Sequence, residues 1–70
     1  MRTIGYWMKR TAALNAGMRT GDLVGDLAEA SVVLWASRRP GLSQAVEAFI
    51  DAAHRYVERH PEAFETNERR

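Results

Sequence analysis

Seventy residues, ten of them Lys or Arg and nine Asp or Glu, make one small domain with a formal charge of +1 and exclude the strongly basic footprint of a typical nucleic-acid-binding module. No cysteine is present, which removes disulfides and thiolate metal sites. With no signal-peptide core and no membrane-length apolar run, the sequence reads as a cytoplasmic protein without a membrane segment. A chain this short buries only about 60% of its unfolded surface, so a monomeric core is marginal and oligomerisation is the expected support.

An apolar share of 46% is that of a globular chain, and eleven alanines favour helix. The alternation of apolar and polar residues that marks strands is missing. The prolines Pro40 and Pro61 and the glycines Gly17, Gly21 and Gly41 stand where apolar patterns stop. These features predict an all-α fold of three short helices, with residues 1–64 forming a single helical domain and 65–70 a frayed polar tail.

The first predicted helix runs from Thr3 to Ala16. Ile4, Trp7, Thr11, Leu14 and Met18 follow 3-4-3-4 spacing and share one stripe, with Met8 beside it and Lys9, Arg10 and Ala13 on the opposite side. Arg2, Lys9, Arg10 and Arg19 make this segment basic, but without a continuous basic face they read as solvated charges.

The second predicted helix starts near Thr20 or Gly21, with Thr20 as N-cap, and must stop by Arg39 because Pro40 restricts its predecessor. Asp22 and Asp26 suit its positive end, Arg38 and Arg39 its negative end. Leu23, Leu27, Ala30 and Leu34 form one face. Val24, Ala28, Ser31 and Trp35 form a second, about 100° away. Asp22, Asp26 and Glu29 form a narrow acidic stripe that runs into Val33. The run Val32-Val33-Leu34-Trp35 points in nearly every direction around the axis. A helix apolar all round must be covered all round, and the rest of this chain offers little to cover it with. Since Leu23, Leu27 and Leu34 already supply an inward face, Trp35, Val24, Ala28, Val32 and Val33, with Trp7 from the first helix, are assigned to a partner or dimer interface.

The third predicted helix starts at Ser43 as N-cap and ends near His60, before Pro61. Val46, Phe49, Ala53, Tyr56 and His60 follow 3-4-3-4 spacing, widened by Ile50 and Val57. Glu47, Asp51, His54 and Glu58 lie opposite, and Asp51 and Arg55 are spaced for an i,i+4 ion pair. Phe64 is expected to tuck back onto this helix. Joints of about four residues predict an antiparallel hairpin of helices 2 and 3, with helix 1 packed across it.

Chemistry-bearing patterns are few. Asp51, His54 and Glu58 echo the Glu-x-x-His pairs of di-iron helical bundles and define a metal-binding alternative, but they lie opposite the apolar stripe, where a solvated charged face is the simpler reading. His60 reads as a cation at a helix C-terminus. Ser31, Ser37 and Ser43 have no base in their sequence context, so no enzyme and no cofactor are expected. Gly41-Leu42-Ser43-Gln44 resembles the opening of a repressor recognition helix. The aliphatic residue such a helix needs midway falls at Glu47, and with Asp51 two carboxylates would face the phosphates. A DNA-binding transcriptional regulator is therefore the runner-up, and nucleic acid is not the expected partner. The leading expectation is a small non-enzymatic protein–protein interaction module, a homodimer through helix 2 with help from helix 1, acting as a regulator or inhibitor on a larger protein. Its likeness to the inhibitors that phages and plasmids direct at host machinery is one of size and class, not of family.

Overall fold

A computed structural model describes residues 2–18 and 22–64, the last two by their backbone alone. It contains α1 (Ile4–Asn15), α2 (Leu23–Ala36), α3 (Pro40–Arg59) and a single 3₁₀ turn at Pro61–Phe64. Among the described residues 83% are helical and none is in a strand.

Each boundary has a local cause. Thr3 is extended (φ −86°, ψ 167°), and its Oγ1 accepts a hydrogen bond from the Tyr6 N–H at 3.1 Å, capping α1. The same helix ends where Gly17 turns left-handed at φ +78°. Met18 N–H then donates to the Ala13 carbonyl and Gly17 N–H to the Leu14 carbonyl, both at 3.0 Å, which satisfies the last turn. The cap of α2 is Asp22, not Thr20: its Oδ1 accepts from Gly25 N–H at 2.9 Å, and its charge suits the helix dipole. Thr20 lies outside the described residues. A Cβ on Gly25 would collide with the Asp22 carboxylate, so the glycine is what admits this cap.

Helix α3 begins three residues earlier than the Ser43 start expected from sequence. Pro40 occupies its first turn, where a fixed φ is favourable and the missing N–H had no helical partner to lose. Ser43 lies inside the helix, its N–H donating to the Arg39 carbonyl at 3.0 Å. Residues 37–39 alone separate α2 from α3.

Helix α3 is the centre of the molecule, and α1 and α2 both pack against it. Ile4 lies beside Gly41, Trp7 against Phe49, and Asn15 against Arg55, so α1 runs parallel to α3. Leu34 shares a groove with Glu47 and Ile50, and Leu27 one with Ala53 and Val57, so α2 runs antiparallel to α3. The core is Trp7, Leu14, Leu23, Ala30, Val33, Leu42 and the inner face of α3 around Val46, Phe49 and Ala53. The Cα envelope measures 40 × 23 × 16 Å, a slab too thin to wrap α2 on every side.

The rotation of α2 differs from the expected one. Its buried stripe is Leu23, Asp26, Ala30 and Val33, while Leu27 and Leu34 are half-buried at its edge. Asp26 turns inward because α1 reaches it: Arg10 forms an ion pair with its carboxylate, and Tyr6 Oη donates to its Oδ1 at 3.1 Å. Arg10, expected on the solvent side, is thereby drawn into the seam between α1 and α2. Arg2 continues that seam with a salt bridge to Glu29 at 3.1 Å.

Candidate functional site

Because Asp26, Ala30 and Val33 face inward, the opposite side of α2 faces solvent. Trp35 stands there with 86% of its surface exposed, Val32 with 63% and Val24 with 52%, and Ala28 and Ser31 are exposed between them. Positions 24, 28, 31 and 35 repeat at 4-3-4, the 3.5-residue spacing of a helix–helix seam, over a length of about 16 Å. No charged side chain interrupts the stripe. Asp22 marks its N-terminal end and Arg38 and Arg39 its C-terminal end, all three exposed. Single exposed apolar residues are ordinary on a protein surface, but here Val24, Ala28, Val32 and Trp35 share one uncharged face.

Four of the six residues assigned to an interface from sequence come together here: Trp35, Val32, Val24 and Ala28. Trp7 and Val33 do not. Trp7 is fully buried within the chain, edge-on to both Tyr6 and Phe49 with ring centroids 5.1 Å apart in each case. Val33 is 5% exposed because it follows Asp26 around to the α3 side. Met18 leaves the inward stripe of α1 because it lies past the reversal at Gly17, and it is exposed.

The polar face of α3 presents a different surface. Asp51, His54 and Glu58 line one wall of an open groove of about 450 Å³ that Leu34 and Ile50 share. Asp51 is already paired with Arg55, which also donates to Asn15 Oδ1 at 3.2 Å. Among the described residues no three His, Cys, Asp or Glu side chains converge on a metal-binding point. Glu47 is exposed on the same face. His60 is the C-cap residue of α3: its N–H donates to the Tyr56 carbonyl at 2.8 Å, its ring lies 4.5 Å from that of Tyr56, and its Nδ1 is 3.5 Å from Glu62. The hydroxyls of Thr11 and Ser31 donate back to the carbonyls of Trp7 and Leu27, at 2.7 and 3.1 Å. Neither is activated by a neighbouring base.

A polar cluster that sequence reasoning did not find is Tyr6, Arg10 and Asp26. Burial, and after it the hydrogen bond to Asp26, raises the Tyr6 phenol above its ordinary pKa. The signal for this cluster was present in the spacing. Asp26 sits at i+3 from Leu23 and i−4 from Ala30, inside an apolar stripe, and Tyr6 and Arg10 are one helical turn apart.

Among the described residues no helix is long and apolar enough to cross a membrane. Comparison with known proteins finds no matching family model, no similar curated protein and no similar solved structure.

Proposed function

We propose that this chain is a non-enzymatic protein-interaction module that acts as a regulator or inhibitor by laying the outer face of α2 against another protein surface, a second copy of itself included. The observation that carries this reading is Trp35, 86% exposed on a rigid helix and flanked by Val32, Val24 and Ala28. An indole removes about 150–250 Å² from water with few rotatable bonds to freeze, which is why tryptophan recurs among binding hot spots. The helix that presents it is capped by Asp22 and anchored on α3, so little ordering remains to be done on binding.

The test is an affinity capture from the native host, comparing the wild-type chain with Trp35→Ala and reading bound proteins by mass spectrometry. Affinity for a captured partner should fall by at least about 2 kcal/mol with Trp35→Ala, while the circular dichroism spectrum stays unchanged. His54→Ala, on the polar face of α3, should retain binding. Loss of binding with His54→Ala and full retention with Trp35→Ala would overturn the reading.

A further inference from the structure

We infer that the outer face of α2 is complementary to itself, and that it pairs antiparallel with α2 of a second copy about a two-fold axis between Ala28 and Ser31. The inference rests on the reading of this face as a binding surface. In an antiparallel helix pair, residues whose numbers add to a constant stand opposite each other. With 59 as that constant, Trp35 stands over the partner's Val24 and Ala28 over the partner's Ser31. The small residues fall at the centre, where two axes must approach to about 8 Å, and the indoles fall at the two ends, each over a smaller side chain. A parallel pairing would instead set Trp35 against Trp35 at one end and leave a gap at the other.

Charge selects the same orientation. The stripe itself is uncharged, and its two ends carry opposite signs: Asp22 at the N-terminus, Arg38 and Arg39 just past the C-terminus. Antiparallel pairing brings each Asp22 to the partner's Arg38 and Arg39 and sets the helix dipoles head to tail. Parallel pairing would bring Arg38 and Arg39 against their own copies. Three helical turns with a tryptophan at each end make a small interface, to be set against about 1,200 Å² at the low end of stable ones. The protomer core is closed without the partner, so the dimer forms and dissociates reversibly. Since the same face serves any other target, self-pairing and target binding exclude each other, and the chain masks its own binding surface as its concentration rises.

The chain has no cysteine, which makes crosslinking specific. Ala28→Cys and Ser31→Cys are prepared separately, mixed and oxidised. The expected product is a covalent dimer joining one variant to the other, in excess over either variant joined to itself. Predominant self-joined products would overturn the antiparallel register. Sedimentation equilibrium of the unmodified chain should show a mass rising from 7.9 kDa toward twice that value across the micromolar range. Val24→Glu should weaken association at least tenfold without altering the circular dichroism spectrum. A chain that stays monomeric throughout, yet captures another protein in a Trp35-dependent way, overturns self-pairing and leaves the binding reading standing. A monomer that captures nothing overturns both.

Discussion

A carboxylate in the middle of an apolar stripe has to be held there, and Asp26 is held by two side chains from one turn of α1. Arg10 neutralises it and Tyr6 donates to it, so the cluster fixes α1 against α2 where their backbones do not meet. A pair this well buried gains little over apolar residues of the same volume, but losing one member strands the other. Asp26→Ala and Arg10→Ala should each destabilise the fold by about 3 kcal/mol in urea denaturation. The double substitution should cost much less than the sum. Additive losses would mean that the two residues act separately. The raised Tyr6 pKa has a definite sign. The folded state holds the phenol proton more tightly than the unfolded chain, so this contribution is complete below about pH 10 and is lost as pH rises beyond it. Tyr6→Phe should remove that part of the alkaline unfolding. Trp7 is informative in another way: its indole N–H is buried and finds no acceptor among the described residues. Trp7→Phe discards this orphan donor along with some packing, so it should cost well under the about 3–5 kcal/mol expected for Trp7→Ala.

At the scale of elements, the weakest terminus is the start of α3. Arg39 is its N-cap, in an extended conformation suited to capping, yet its side chain makes no cap hydrogen bond. Arg39→Ser should stabilise the chain by about 1 kcal/mol, read as a shift in the denaturation midpoint at constant slope. A destabilised variant would show that the Ser37 Oγ bond to Arg39 N–H, at 3.1 Å, already holds this terminus. The helices differ in how much of them could be read from sequence. Stripes in α1 and α3 were legible because one apolar face stands against one polar face, as at Trp7 and Leu14 or Val46, Phe49 and Ala53. The start of α3 was not legible because Pro40 both stops the helix before it and makes a good first residue for the helix after it. The rotation of α2 was illegible because the helix is apolar nearly all round, and the acidic stripe of Asp22, Asp26 and Glu29 was the main vote for a solvent side. That vote was misleading, since the arginine and tyrosine that bury Asp26 lie in another helix. The same rotation decides the candidate site: Val24, Ala28, Val32 and Trp35 were legible as surplus to the inward face, whereas Val33 went with Asp26 and Trp7 with Phe49.

For the molecule as a whole, the two tryptophans mark its inside and its outside. Acrylamide should quench the emission of Trp35 in the folded chain and leave that of Trp7 largely protected, and Trp35→Phe should leave a single protected emitter. Such a variant also reports on how the chain assembles. Helix α1 runs parallel to α3, and no short connection can join parallel neighbours, so α2 has to intervene in the chain. The side chains of Asn15 and Arg55 that meet across the α1–α3 seam are 40 residues apart, whereas α2 reaches α3 through residues 37–39 alone. Closing the long loop costs more chain entropy than closing the short one, so the α2–α3 hairpin should assemble first and α1 should dock onto a surface already made. In stopped-flow refolding, Leu14→Ala on α1 should accelerate unfolding and leave the folding rate nearly unchanged, while Val33→Ala on α2 should slow folding. The reverse pattern would place α1 in the folding nucleus. With α1 last to arrive, the Tyr6–Arg10–Asp26 cluster is a latch that closes at the end of folding, and until it does Asp26 lies uncovered on the hairpin.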